Sequence, residues 1–370
     1  MRLALDASLR IYGHGRVLVA RGRIIRLTEN GPAALRALLA DTATPAQRRL
    51  GDRLVAAGMA HPRPTPQHRP TTIVIPVRDR PADLARLLAT LNHPQGGLTP
   101  SSVNPHGGQT RLRVVDDGSR VAVEGAIRRD VAGGPGVARN AGLKGVETEL
   151  VAFLDSDTVP PAGWIEQLAG HFEDPKVAAV APRIRASNKR HSPLDMGEDP
   201  AEVRPGGHVS YVPAAALLVR RSALPDEPFD PALRYGEDVD LIWRLIDAGW
   251  RVRYDPGVVV EHEERDTLRR RFRYGTSAAP LKRRHPGKLK HVVVRPWPAV
   301  TLTLLAARRP RLAALAYAAQ TVQLARTLHR HQVPIRLAPL WTARATIRIV
   351  TQFGKLATPY GAGVLSGALR

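Results

Sequence analysis

Short apolar runs that end in acidic residues recur through the middle of the chain. Thr72-Ile-Val-Ile-Pro-Val77, Leu112-Arg-Val-Val115 before Asp116-Asp117, and Val151-Ala-Phe-Leu154 before Asp155-Ser-Asp157 each read as a buried strand by length and β-branching. Helical stretches separate them: Pro81 to Leu91, with proline in its first turn, and a segment entered through Ala132-Gly-Gly-Pro-Gly-Val-Ala-Arg-Asn-Ala-Gly142. Strand-to-helix units in succession predict a parallel sheet with right-handed crossovers. After Asp157 the pattern predicts a helix over Pro160 to Phe172 and strands at Val177 to Val180 and Val212 to Arg220. A further helix opens at Tyr235-Gly-Glu-Asp-Val-Asp240 and stops at Gly249, followed by short strands at Arg251 to Tyr254 and Val258 to Val260. Polar loops are expected over Asn92 to Gln109 and Arg185 to Val209, the second holding Met196-Gly-Glu-Asp-Pro200 as a mobile lid or an acceptor contact.

The flanks read differently. Leu3 to Leu5, Arg16 to Ala20 and Arg23 to Leu27 are strand-like, with Tyr12-Gly13-His14-Gly15 as a turn; helices follow at Ala33 to Ala40 and Pro45 to Ala57. Strands followed by helices predict a winged-helix-like unit over residues 1–65, and a proline-rich linker runs from His61 to Pro70. Residues 72–275 then form the central domain, and 276–370 a basic helical region.

Composition narrows the chemistry. Cysteine is absent, which excludes disulfides, thiolate metal sites and cysteine nucleophiles. No secretory signal pattern is visible, so the cytoplasm is the expected compartment. The apolar stretches Trp297 to Ala307 and Leu312 to Ala325 are too short to span a bilayer. The net charge is +22, yet no acid follows Asp266, and the stretch after it holds 20 Lys and Arg. Such a tail can lie on an anionic membrane surface. Nucleic acid is not the expected partner, because the tail lacks regular aromatic interleaving and the N-terminal unit lacks a dense basic recognition helix.

Asp155-Ser-Asp157 sits in the turn at the carboxyl end of an apolar strand, where open α/β sheets bind ligands. Its two carboxylates can hold one face of Mg²⁺ or Mn²⁺ while diphosphate oxygens fill the rest, although a lone D-x-D is commonly a solvated turn. The glycine-rich run before Arg139 is no dinucleotide fingerprint, since it follows no strand directly and lacks the acid about 20 residues on.

Six stretches together settle a resemblance: Ile75-Pro-Val-Arg-Asp-Arg80, Val114-Val-Asp-Asp-Gly-Ser119, Ala138-Arg-Asn-Ala-Gly142, Leu154-Asp-Ser-Asp157, Gly236-Glu-Asp-Val-Asp240 and His262. In this order and spacing, from about Thr71 to Gly275, the chain resembles the inverting family 2 glycosyltransferases of GT-A fold, a Rossmann-like, mostly parallel sheet flanked by helices. The N-terminal unit resembles the small peptide-binding domains of the coenzyme PQQ biosynthesis D-protein type, which grip a peptide by strand addition. With the linker and basic tail, the whole layout resembles the mycofactocin biosynthesis glycosyltransferases, which attach β-linked glucose to a peptide-derived redox cofactor or its precursors.

The resemblance implies a UDP-sugar donor and roles for particular residues. Asp117, with Asp116 beside it, would accept the uracil N–H. Pro76, Arg78, Arg139 and Asn140 would belong to the donor-binding set. Asp155 would contact ribose or the metal, Asp157 would coordinate Mn²⁺ or Mg²⁺, and His262 would complete the metal shell or touch the diphosphate. An inverting reaction needs a base on the acceptor side, and a carboxylate fixed at a helix start meets that need. Asp238 is the first choice and Glu237 the second; the same acids also stabilise a helix N-terminus. Trp243 and Trp250 can stack a sugar but at helical spacing suit the core. Two other readings compete: a lipid-linked or cell-wall sugar transferase working at the membrane, and a catalytically silent peptide- or nucleotide-sugar-binding scaffold.

Overall fold

The computed structural model describes residues 2–91, 110–188, 192–263, 268–289, 295–356 and 358–368. The expected loop from Asn92 to Gln109 lies outside them. Two compact units emerge, Arg63–Leu289, and Arg2–Pro62 with the described part of Lys290–Arg370. The two flanks that the sequence separates into distinct regions thus form one unit.

In that flanking unit, β1 (Arg2–Leu5) is followed by β2 (Arg10–Tyr12), β3 (Val17–Ala20) and β4 (Arg23–Arg26), then helices α1 (Gly31–Leu39) and α2 (Pro45–Ala56) and strand β5 (Ala60–Arg63). Strands β2, β3 and β4 form an antiparallel sheet, and β1 pairs with β5. The Tyr12-to-Gly15 turn therefore joins β2 to β3, and the first part of the expected linker is a strand. Thr44 and Gln47 make a reciprocal capping box that starts α2. Asp6 ties the unit together: it accepts hydrogen bonds from Ser8 and Arg21 and meets His61 Nε2 at 2.8 Å. Burial would raise this carboxyl, but those partners outweigh it and hold it well below the usual carboxylate range.

The central unit holds the large sheet. Its elements are β6 (Thr71–Val77), α3 (Pro81–Leu91), β7 (Thr110–Asp117), β8 (Ile127–Arg129), α4 (Pro135–Leu143), β9 (Leu150–Leu154), β10 (Thr158–Val159), α5 (Trp164–Ala169), β11 (Val177–Ala186), β12 (Ala201–Glu202), β13 (Ala216–Arg220), α6 (Glu237–Asp247), β14 (Arg251–His262), α7 (Leu268–Thr276) and α8 (Ala278–Arg284). The strand order is β10-β14-β11-β13-β9-β6-β7-β8, with β12 on the side of β14. Strands β9, β6, β7 and β8 run parallel, as the strand-to-helix pattern predicts, while β13 enters antiparallel between β9 and β11. Strand β14 is continuous across Asp255-Pro256-Gly257, because its pairing with β11 absorbs these residues as a register shift. The expected helix over Pro160 to Phe172 is shorter, since Gly163 starts α5 with a left-handed φ of 69°.

Helix α4 lies close against the sheet at Gly142. A Cβ there would stand 2.4 Å from Val74 Cγ1 and 3.0 Å from Val115 Cγ2. Gly142→Ala should destabilise the unit by about 1–3 kcal/mol through overpacking, read as a lower urea midpoint with unchanged slope.

The described part of the expected polar lid is tied down. Arg183 makes a bidentate pair with Asp195 at 2.9 Å, Tyr254 Oη donates to Gly197 O at 2.6 Å, and β12 pairs with β14. Met196-Gly-Glu-Asp-Pro200 is thus anchored to β11 and β14, and Met196 packs against the core beneath α6.

Beyond residue 294 the flanking unit continues with α9 (Pro296–Ala306), α10 (Pro310–Arg330), α11 (Ala338–Leu356) and α12 (Pro359–Ala368). Among the described residues no helix is long and apolar enough to cross a membrane. Strand β3 is buried on both faces: Leu18 and Ala20 pack with Leu35, Leu54 and Met59, while Val17 and Val19 pack with Leu328, Val333 and Ala338. That is why Val17-Leu-Val-Ala20 is uniformly apolar rather than alternating.

Candidate functional site

The carboxyl ends of the parallel strands carry the acids. Val77 of β6 stands opposite Asp116 of β7, and Val74 opposite Phe153 of β9, so the loops after all three strands emerge at one edge of the sheet. Strand β14 ends at the same edge, because His262 pairs with Thr158, one residue past Asp157.

Asp157 is nearly buried between a guanidinium and an imidazole. Arg80 Nη1 donates to its Oδ2 at 2.5 Å, and His262 Nε2 lies 3.4 Å from its Oδ1. Burial would raise its carboxyl, but His262 and Arg80 outweigh that and hold it at about 2. Asp157 is therefore an anion at any working pH.

Asp155 faces the other way. It accepts a hydrogen bond from Arg139 Nη2 at 2.6 Å, and Arg139 Nη1 donates in turn to Glu237 Oε1 at 3.3 Å. Arg139, on α4, is buried, with its guanidinium 5.3 Å from the centroid of the Phe229 ring. Asn140 pins that phenylalanine by exchanging two hydrogen bonds with its backbone, at 2.6 and 3.0 Å. A chain of charge thus links the D-x-D turn to the start of α6. Arg139→Met should leave Asp155 and Glu237 facing each other uncompensated and cost roughly 3 kcal/mol, measurable by urea unfolding.

Gly236 makes the entry to α6 with a φ of 80°, and a Cβ there would press on Leu281 and Ser277. Glu237 and Asp238 follow. Asp238 Oδ2 accepts from the Ala214 N–H at 3.4 Å and Oδ1 from the Val239 N–H at 2.8 Å, and its residue keeps partial solvent access. The helix terminus and Arg139 favour the ionised forms, but burial dominates. It pushes the Glu237 carboxyl up to about 7, with Asp238 adding to the rise, and pushes Asp238 up as well. Two carboxyls raised by burial therefore stand at one end of the charge chain.

The paired acids after β7 serve the loops first. Asp116 is fully buried and accepts from the Ser119 and Val123 N–H groups and from Arg128. Burial would raise it, but those hydrogen bonds bring it down to about 2. Asp117 accepts from Arg129 and from the Gly133 and Gly134 N–H groups, which closes the glycine-rich turn before α4. Pro76 is buried in β6 beyond the end of its ladder with β9.

Of the two arginines in the first motif, Arg80 reaches the D-x-D; Arg78 is more than half exposed, with Asp79 3.8 Å away. Asp79 turns the chain between them with a φ of 52°, its N–H donating to Ser119 Oγ and its Oδ1 accepting from the Arg120 N–H. Arg80 and Phe229 are the residues that sequence reasoning missed as members of the site. Trp243 is buried and donates to Ser210 O at 2.8 Å, and Trp250 packs against the same core. Asp240 is occupied by Arg244 of its own helix and by His285, which follows α8 and ties it to α6.

Asp157 with His262 beside it is a carboxylate–imidazole pair that suits Mn²⁺ or Mg²⁺. Among the described residues no group of three or more acids, cysteines or histidines is placed to hold a metal. The donor set fits a metal shared with a diphosphate, provided Arg80 yields one Asp157 oxygen.

Comparison with known proteins gives the family. A glycosyl transferase family 2 model matches residues 72–207, and a glycosyl transferase family group 2 model matches residues 150–349. A pre-mycofactocin glycosyltransferase of Mycobacterium tuberculosis is 42% identical over 322 residues, covering 78% of this chain and 65% of the relative. This chain thus spans just under two thirds of that curated relative. An N-acetylglucosaminyltransferase of Rhizobium meliloti is 27% identical, covering 54% of this chain and 56% of the relative. A mannosyltransferase from Pyrobaculum calidifontis, solved with GDP-Man and Mn²⁺, superposes with a TM-score of 0.49 at 15% identity, over 92% of this chain and 98% of its own. Since the second family model takes in more than half of the chain, the chain belongs to the family 2 glycosyltransferases.

Proposed function

We propose that this chain is a metal-dependent inverting hexosyltransferase that moves glucose from UDP-glucose to a hydroxyl of mycofactocin or its peptide-derived precursor. The observation that carries the reading is the charge chain Asp155–Arg139–Glu237, which sets a donor-side acid pair and an acceptor-side acid pair at opposite ends of one buried guanidinium. The 42% identity to a pre-mycofactocin glycosyltransferase supports the acceptor class.

In this reading Asp157 and His262 would hold Mn²⁺ or Mg²⁺, which would supply charge neutralisation to the diphosphate leaving group. Arg80, once it leaves Asp157, is a second cation for the diphosphate. Asp155 orients the ribose, and Asp117 reaches the uracil if one of its loop contacts opens. Asp238 takes the proton from the acceptor hydroxyl as that oxygen forms its bond to the anomeric carbon, and the bond to the UDP oxygen breaks on the opposite face. The result is inversion. Glu237 holds Arg139 and is the base only if Asp238 is not. Both outer strands of the β2-β3-β4 sheet, β2 and β4, are edges at which a peptide-derived acceptor can add as a strand.

The test is nucleoside diphosphate release from a panel of UDP- and GDP-hexoses with Mn²⁺, Mg²⁺ or EDTA. Turnover of a UDP-hexose only with metal is the expected result. Turnover that is indifferent to EDTA, or confined to GDP-sugars, would overturn the donor and metal assignments.

A further inference from the structure

Thirteen of the twenty large apolar side chains that stand exposed among the described residues fall between Trp297 and Leu365, on α9 to α12 and the turn before α11. On α10, Leu312, Leu315 and Val322 share one side with Arg326 and Arg330 by helical spacing, and all are exposed. On α11, Leu340, Arg344 and Ile347 recur at the same helical period, again exposed. The exposed charge on these helices is of one sign, because the chain after Asp266 has no acid.

From this combination we infer that α9 to α12 dock on an anionic lipid surface, the aliphatic side chains entering the headgroup boundary and the arginines meeting lipid phosphates. Aliphatic stripes ending in arginine are what an interfacial helix requires, and no described helix is apolar enough to go through the bilayer. A second copy of the chain is a poor occupant, since two all-basic faces repel with no acid to pair them. A nucleic acid would take the arginines and leave Leu315, Val322 and Ile347 in water, because it recognises exposed aromatics rather than aliphatics. This inference does not rest on the proposed donor or acceptor.

The experiment is flotation of the whole chain with vesicles of phosphatidylcholine alone or with about 30% phosphatidylglycerol, in about 0.15 M and about 0.5 M salt. The chain should float with the anionic vesicles only. The triple variant Leu315→Ser, Val322→Ser, Ile347→Ser should lose about tenfold or more in vesicle binding. Arg326→Glu with Arg344→Glu should abolish binding. Helical circular dichroism and UDP release should stay unchanged in both variants, which separates loss of docking from loss of folding. Four results would overturn the inference: no flotation with either vesicle, undiminished flotation of the serine variant, equal retention by duplex DNA, or a lipid-free dimer that the serine variant dissolves while vesicles bind nothing.

Discussion

Asp157→Ala should lower metal-supported UDP release by about a thousandfold, while the fold is retained. The carboxylate is nearly buried, is ionised at all working pH values, and touches both Arg80 and His262. Its removal takes away the hard oxygen ligand and leaves the Arg80 guanidinium without its carboxylate partner. Loss of metal neutralisation at the departing diphosphate is worth several kcal/mol, and each 1.36 kcal/mol is tenfold in rate. Mn²⁺ affinity, read by isothermal titration or by the electron paramagnetic signal of free Mn²⁺, should fall in parallel. A variant that keeps its rate within about tenfold would remove Asp157 from the metal site.

Asp238→Asn should lower kcat by about 10²–10⁴-fold and leave UDP affinity unchanged, because it removes a proton acceptor and not a donor contact. The near-isosteric amide keeps an oxygen for the Val239 N–H at 2.8 Å and gives up only the long 3.4 Å contact from the Ala214 N–H, so the turn at the start of α6 should survive. Glu237→Gln should weaken the hold on Arg139 and cost less. The wild-type pH profile should rise from acid towards neutrality. A carboxyl pushed up by burial stays protonated through the weakly acidic range, and the base exists only above its raised value, about 7 for Glu237. Stability runs the opposite way: the folded state favours the protonated form, so the contribution is complete below the ordinary carboxylate range and is lost as the pH rises through about 7. In Asp238→Asn the acid limb of the rate should flatten. A limb that persists there and vanishes in Glu237→Gln would exchange the two roles.

Much of this site was readable because buried parallel strands are continuous apolar runs. Strands β6, β7 and β9 announce themselves, and the acids that stop them mark where the loops emerge. Strand β8 is Ile-Arg-Arg and mostly exposed, so no period of burial betrays it. Strand β13 is apolar up to its last residue, Arg220, and such a run carries no sign of its direction, so its antiparallel entry was hidden. Pro256-Gly257 looks like a break, yet β11 carries the chain across it as an irregularity. Arg80 was missed in favour of Arg78 because side-chain direction after a strand depends on the next backbone turn. Here that turn is the left-handed conformation of Asp79, held from the neighbouring loop by Ser119 and Arg120. The union of the two flanks was equally hidden: Val17 and Val19 need partners on both faces, but the partners are more than 300 residues away in the chain.

The central claim is that one buried charge chain couples a metal-held UDP-sugar to an acceptor base. The most direct test is transfer itself: UDP-glucose, Mn²⁺ and the peptide-derived mycofactocin precursor with the wild-type chain, following UDP release and the anomeric configuration of the glycosylated product by NMR. The account predicts acceptor-stimulated release and a β-linked glucose, both lost with EDTA. Release that the acceptor does not stimulate, or an α-linked product, would contradict it.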